Sequence, residues 1–305
     1  MKSFIKSISN KHNDKGENVM IFSTPRSGST WLMELIKTQP QFKICNEPLN
    51  IRNVNIASAL GTSKWADLYS ENYTEVQKKY FREIILNKHL FLNGSPFRKY
   101  YRPISSRIVF KIINAGELIA NDIAEASKSK LIYLIRHPIA VSLSRNQLPR
   151  FDALTNASID KELSLEEIEA IKKYKYDNNH LIKATLSWCI QNKLALNRSN
   201  KNWIIFTYEQ LVVNPDPIIK LLSKELDFKK SERIYSNLKI PSAVTVQSTP
   251  DTKNFIKEAS EYDIINKWHK QVDKRTLDTI QKILKTFDLD IYDTETSMPK
   301  KYKIE

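Results

Sequence analysis

At 305 residues and 41% hydrophobic content, the chain is long enough for a sizeable core, in one large α/β domain or two small ones. No apolar run approaches the ~20 residues a membrane span needs; two cysteines make no disulfide framework, and five histidines, at 12, 89, 137, 180 and 269, lack metal-ligand spacing. The formal charge of +14 points to an anionic partner, yet the lysines are interleaved with acids and no aromatic ladder accompanies them, which argues against a single-stranded nucleic acid.

Residues 1–18 are polar and lack the apolar core of a secretion signal, so a mobile lead and a reduced, cytoplasmic setting are expected. Residues 19–22, Val-Met-Ile-Phe, form the first predicted strand. A turn through residues 23–28 leads into a helix whose Leu32, Leu35 and Ile36 share one face. Strand, glycine-containing turn and helix start together aim unpaired backbone N–H groups and a positive dipole end at an anion. Ser27, Ser29 and Thr30 add hydroxyls there, so the turn predicts a phosphate cradle.

Pro40 ends that helix, residues 42–45 read as a second strand, and residues 50–72 as irregular chain. Thr74-Glu-Val-Gln77 has the form of a capping box, opening a helix to about residue 88. Residues 92–106 read as loop, 107–113 as the third strand and 116–127 as a helix. Residues 130–135 are the fourth strand, whose near-continuous apolar run suits a sheet covered on both faces. Pro138 is well placed at the first turn of the next helix. A loop over residues 149–163 precedes the capping box Ser164-Leu-Glu-Glu167 and a long helical region to about 198, interrupted near Asp177-Asn-Asn179. Leu181, Ala184, Trp188 and Ala195 share a face of its second half.

Residues 203–207 form the fifth strand, and Asn214-Pro-Asp-Pro217 opens a helix to about 225. Residues 239–257 read as loop, followed by helices near 260–270 and 273–287; in the last, Leu277, Ile280, Leu284 and Phe287 make the core face. Residues 294–305 are expected to be a mobile end. Strands alternating with helices predict an α/β fold, a central parallel sheet of about five strands flanked by helices, in a single domain over residues 1–305 with an insert at 149–180.

The cradle departs from the nucleoside-triphosphate loop G-x-x-x-x-G-K-[ST] at two positions: Ser23 stands where the first Gly belongs, and Ser29 where the Lys belongs. Its one cation, Arg26, precedes the Gly, which suits a phosphate that is held rather than cleaved. Pro25-Arg-Ser-Gly-Ser-Thr-Trp31 resembles the 5′-phosphosulfate loop of sulfotransferases, which use 3′-phosphoadenosine 5′-phosphosulfate (PAPS). Arg26 stands where the carbohydrate and tyrosylprotein branches have Arg. The resemblance implies the P-loop-like fold of that family, with PAPS as co-substrate and no metal. A second match, Arg136 at a strand end with Ser144 eight residues later, implies a 3′-phosphate site. A third, Tyr208-Glu-Gln-Leu211, implies a Tyr against the adenine. Trp31 either packs on the same base or belongs to the core. The stretch 247–257 resembles the late loop that closes over the phosphosulfate, carrying Ser248 and Lys257, with Lys253 as the rival for the latter.

Sulfonyl transfer to a hydroxyl needs cations where charge develops and a base for the acceptor's proton. The resemblance assigns the first task to Arg26 and to Lys111 on the third strand. The His that serves as base in cytosolic small-molecule enzymes is replaced by Ile113. Glu47, in Asn46-Glu-Pro-Leu49 after the second strand, matches the carboxylate base of the other branches, and Glu-Pro-Leu leans toward a carbohydrate or glycolipid acceptor. The alternatives are a P-loop-like nucleotide kinase, against which the missing loop Lys argues, and a non-catalytic nucleotide- or polyanion-binding protein.

Overall fold

Strands that are apolar on both faces have no side to offer to water, so they pack edge to edge beneath helices. In the structure, a computed structural model describing residues 11–89, 92, 99–113, 115–145, 149–242 and 258–300, five such strands form one sheet. They are β2 (Asn18–Phe22), β3 (Phe42–Asn46), β5 (Arg107–Ile112), β6 (Ser129–Ile135) and β7 (Ile204–Thr207), all parallel, in the order β3-β5-β2-β6-β7. Every residue of β2 and β5 is buried. Two short strands, β1 (Lys11–His12) and β4 (Ile104–Ser105), pair separately.

Alternation along β2 divides the core. Val19 and Ile21 face helices α1 (Ser29–Lys37) and α9 (Pro215–Glu225), meeting Leu32, Leu35, Ile36, Ile218 and Leu222. Met20 and Phe22 face the other layer, where α3 (Thr74–Ile85), α4 (Ala120–Ala126), α7 (His180–Arg198) and α11 (Lys274–Thr286) supply Phe81, Ile123, Trp188 and Ile283. Each such fully buried side chain is worth roughly 1.5–3 kcal/mol.

Local signals explain most helix ends. Ser164 and Glu167 close the expected capping box on α6 (Leu165–Tyr174), and Asn179 caps α7 where the break was expected. Pro138 opens α5 (Pro138–Leu143). Elsewhere the structure corrects the sequence reading. Residues 50–72 are not irregular: they hold α2 (Val54–Leu60) and a 3-10 turn, Trp65–Tyr69. Thr74 is not a cap, because the 3-10 turn Glu71–Tyr73 delivers a chain already helically wound, and Tyr73 takes the capping position. The expected loop at 149–163 contains the helical turns Phe151–Leu154 and Ala157–Asp160. A further helix, α8 (Tyr208–Val213), follows β7 directly through a Thr207–Gln210 capping box. No helix among the described residues is long and apolar enough to cross a membrane.

Near both ends the described residues make contacts with the body of the protein. His12 is buried, and the Lys300 amide donates to the Ile291 carbonyl at 2.8 Å. The polar end is held because its backbone meets a buried imidazole. His137 lies 4.5 Å from Trp268 in a stacked pair and 4.9 Å from Tyr292 edge-on. Its Nε2–H donates to the Asp293 carbonyl at 3.0 Å while Nδ1 accepts from the Ile139 amide at 3.3 Å, which fixes a neutral tautomer. Burial pushes its pKa down from 6.5 to about 3, and that of His12 down to about 4.

Both imidazoles must stay neutral to remain buried, so their contribution to stability is complete above the unfolded pKa near 6.5 and is lost as pH falls toward the folded values. Each contributes a slope of up to roughly 1.4 kcal/mol per pH unit in that window. Denaturant titrations from pH 7 to pH 4 are expected to show stability falling in this range. His137→Gln should flatten the fall, leaving the part that His12 supplies.

Candidate active site

All five strands of the main sheet run the same way, so their carboxyl ends share one edge, and the chain reverses its direction of travel across the sheet beside β2. Each strand delivers one candidate residue to that edge. The loop 23–28 follows β2, Glu47 follows β3, Lys111 is next to last in β5, Arg136 follows β6 and Tyr208 follows β7. Register aligns Lys111 with Ile21 on one side and with Asn46 on the other, so Glu47 stands one residue beyond Lys111's partner.

The turn after β2 is tight. Gly28 caps α1 at φ 90°, and a Cβ there would lie 2.6 Å from Tyr208 Cδ2. Arg26 also takes a left-handed backbone, φ 75°. The hydroxyls of Thr24 and Ser27 bond each other at 2.7 Å and the Ser27 amide donates to the Thr24 carbonyl at 3.3 Å, so the buried Ser27 closes the turn. Ser29 is buried at the first turn of α1, whose leading N–H groups have no partner within the helix.

Lys111 and Glu47 form the centre. Lys111 Nζ donates to Glu47 Oε1 at 2.8 Å and to Thr30 Oγ1 at 3.0 Å, with 3% of its side chain exposed against 20% for Glu47. The lysine therefore does not reach solvent from its strand. Asn50 Nδ2 donates to Glu47 Oε2 at 2.9 Å, and the Glu47 amide bonds the Lys111 carbonyl at 2.9 Å. Glu47 sits at φ 52°, a strained backbone that turns the chain into the cleft above buried Pro48 and Leu49.

On the other flank, two guanidiniums lie side by side. Arg26 Nε donates to Ser144 Oγ at 2.9 Å, and Arg136 Nη1 donates to the Arg26 carbonyl at 3.1 Å. Neither makes an ion pair with a carboxylate among the described residues; burial, then the charge of Arg136, lower the pKa of Arg26. Arg136 Nε is buried without a hydrogen-bond partner, and the guanidinium lies 4.2 Å over the Tyr208 ring. Its neighbouring acid, Glu209, is engaged by the His137 amide and the Tyr292 hydroxyl, and burial pushes its pKa up. Trp31 meets Tyr208 edge-on at 5.7 Å and donates Nε1–H to the Leu238 carbonyl at 3.2 Å. With Gly28, Arg136, Val212 and Ile240 these rings line a cleft of about 240 Å³. An unpartnered donor beside neighbouring cations, under an aromatic-walled cleft, fits a phosphorylated nucleoside.

The structure thus brings together Arg26, Ser27, Gly28, Ser29, Thr30, Trp31, Arg136, Ser144 and Tyr208, with Glu47 and Lys111 alongside. Ser248, Lys257 and its rival Lys253 lie outside the described residues. His137, which with Lys111 is the residue to change next should Glu47 not be the base, is buried and bonded at both nitrogens, so it is a structural imidazole. Sequence reading missed Asn50, although it follows Glu47 by one turn, and the arginines at 145 and 150.

A family model described as a sulfotransferase domain matches residues 16–297. No curated protein sequence matches. Among solved structures, a sulfotransferase domain from the curacin biosynthetic pathway is 16% identical, with a TM-score of 0.47 over 90% of this chain and 98% of that one. A sulfotransferase domain from the Synechococcus PCC 7002 olefin synthase is 18% identical, with a TM-score of 0.46 over 93% and 98%. The mouse sulfotransferase SULT7A1 complexed with PAP is 12% identical, with a TM-score of 0.45 over 93% and 89%.

Gly28→Ala is expected to destabilise the protein, by about 1–2 kcal/mol from the left-handed backbone alone, and by more through the clash with Tyr208. Because the clash is pairwise, a double-mutant cycle with Tyr208→Ala, read by chemical denaturation, should give a coupling energy clearly different from zero.

Proposed function

Because the chain belongs to the sulfotransferase domain family, we propose that it is a single-domain enzyme that uses PAPS to sulfate a hydroxyl of a carbohydrate or glycolipid, with Glu47 as the general base. The observation that carries this reading is the Thr30–Lys111–Glu47 chain of contacts, which sets a carboxylate directly beside the phosphate loop. When bound, PAPS supplies an activated sulfonyl group on a phosphate.

The chain's own residues divide the remaining work. The N–H groups at the start of α1 and the Arg26 guanidinium hold the 5′ end, and Arg136 with Ser144 holds the 3′-phosphate. Trp31 and Tyr208 take the adenine, and the resemblance gives Ser248 and Lys257 a share in binding the phosphosulfate. Glu47 accepts the proton of the acceptor hydroxyl as that oxygen attacks sulfur. Lys111 and Arg26 stabilise the negative charge that gathers on the bridging oxygen, and the nearly buried Lys111 acts more strongly there than a cation in water. The Glu-Pro-Leu sequence, whose Pro48 and Leu49 anchor Glu47 in the core, supports a carbohydrate-type acceptor. A reducing, cytoplasmic setting fits the two cysteines, both buried and free.

Calorimetry should give far tighter binding of 3′,5′-ADP than of 5′-ADP, and Arg136→Ala should weaken the former by roughly ten- to hundredfold, the worth of a charge-assisted contact. Equal affinity for the two nucleotides would remove the 3′-phosphate site from this account. With labelled PAPS and a panel of sugars, Glu47→Gln should keep nucleotide affinity but lose roughly 10²–10⁴-fold in kcat. Full activity in that variant would move the base elsewhere.

A further inference from the structure

The peptide joining Arg136 to His137 is gripped on both edges. Trp188 Nε1–H donates to its carbonyl at 3.0 Å, and its N–H donates to Glu209 Oε1 at 3.1 Å. A planar peptide held on both edges cannot swing, so Arg136 ψ and His137 φ are fixed together, and with them the direction in which the Arg136 side chain leaves the sheet. The sheet itself has let go by this point. The pairing of β6 with β7 ends at Ile135 and Thr207, and His137 caps α5 at φ −47° and ψ 125° with Pro138 after it.

The guanidinium at the far end of that side chain has an exacting place. It lies 4.2 Å over the Tyr208 ring, its Nη1 donates to the Arg26 carbonyl at 3.1 Å, and its Nε is buried without a hydrogen-bond partner. Glu209, which holds the peptide, directly follows Tyr208 in the first turn of α8, so the ring and the carboxyl move together. Glu209 is buried, and a buried carboxyl oxygen left without a donor is costly, so an unsupported carboxyl would turn from the peptide to find one. Tyr292 prevents that turn. Its hydroxyl donates to Glu209 Oε2, while its ring meets His137 edge-on at 4.9 Å and Trp188 edge-on at 6.4 Å. One buried tyrosine near the end of the chain therefore touches both groups that grip the peptide.

We propose that Tyr292 is a positioning residue for the 3′-phosphate site: it holds the Glu209 carboxyl that, with Trp188, clamps the Arg136–His137 peptide and so aims the Arg136 guanidinium. This rests on the reading above in which Arg136 binds the 3′-phosphate. Tyr292, Glu209 and Trp188 are not among the residues that line the nucleotide cleft, so they act through Arg136 and not on the ligand. A forked donor gains from such support, because its bonds to phosphate depend on direction as well as distance.

The test is calorimetry on the full chain with 3′,5′-ADP and with 5′-AMP, which lacks only the 3′-phosphate. Tyr292→Phe keeps the ring contacts and removes the hydroxyl. It should weaken 3′,5′-ADP by about three- to tenfold, the worth of one hydrogen bond, and leave 5′-AMP unchanged. A tyrosine that served folding alone would lower the melting temperature without changing the ratio of the two affinities. In an Arg136→Ala background, Tyr292→Phe should change neither affinity, because the guanidinium that it aims is gone. Glu209→Gln retains an oxygen for the His137 amide and a group to face the Tyr292 hydroxyl, so it should keep most of the preference. Should Tyr292→Phe melt early, Trp188→Phe frees the other edge of the same peptide and should narrow the ratio in the same way. An unchanged ratio in whichever of these two variants folds overturns the proposal, as does a loss that persists undiminished without Arg136. Complete loss of the preference in Glu209→Gln overturns it too, since charge rather than aim would then be the cause. Failure of the 3′-phosphate reading looks different: the unaltered protein would bind 3′,5′-ADP and 5′-AMP equally.

Discussion

The ion pair between Lys111 and Glu47 is the interaction on which the rest of the site depends. It ties the end of β3 to the second strand of the sheet and, through Thr30, to the first turn of the helix that follows the phosphate loop. Lys111 lies within a strand buried along its whole length, so an ammonium there is tolerable only with a partner. Losing either member of such a pair typically costs about 3–5 kcal/mol, because the other charge is left buried. The same pair sets the proposed base and the proposed electrostatic catalyst within hydrogen-bond distance, so stability and chemistry make the same demand on these residues.

Around that pair the sheet edge concentrates positive charge. The overall excess of +14 says little by itself, since much of it is solvated surface. What matters is that Arg26, exposed on the loop, and Arg136, in the cleft beside it, have no carboxylate in ion-pair contact among the described residues. Both lack the counter-ion that a purely structural arginine would be given, which suits the proposed nucleotide phosphates. Arg136 and Arg145 flank α5, and each lines a different cleft.

Arg136 is held in place from behind by groups that never meet a ligand. Trp188 donates Nε1–H to the Arg136 carbonyl at 3.0 Å, the Glu209 carboxyl takes the His137 amide, and Tyr292 takes the other Glu209 oxygen. His137 then binds the backbone at Asp293. The end of the chain is thus packed against the far side of the residue proposed to read the 3′-phosphate, and a change near Tyr292 reaches the site through two hydrogen bonds.

The strands, the turn after β2 and most helix starts were legible in the sequence because each is specified by neighbours: apolar runs, a glycine between a strand and an apolar helix, a Ser or Thr followed three residues later by Glu or Gln. The spacing of Arg136 and Ser144 was legible for the same reason, as one strand end and one helix. Where a preceding 3-10 turn pre-wound the chain, as at Thr74, the local signal misled. What the sequence by itself determined was the parallel α/β sheet, the glycine-containing turn between strand and helix, and a list of candidate side chains. Tertiary structure alone decided which of them meet. Glu47 and Lys111 are 64 residues apart and Arg26 and Ser144 are 118 apart, and strand order and register bring each pair into contact. Burial, too, is a property of the assembled fold, and it turned His137 from a possible base into a structural imidazole and set Arg145 and Arg150 beside one cleft.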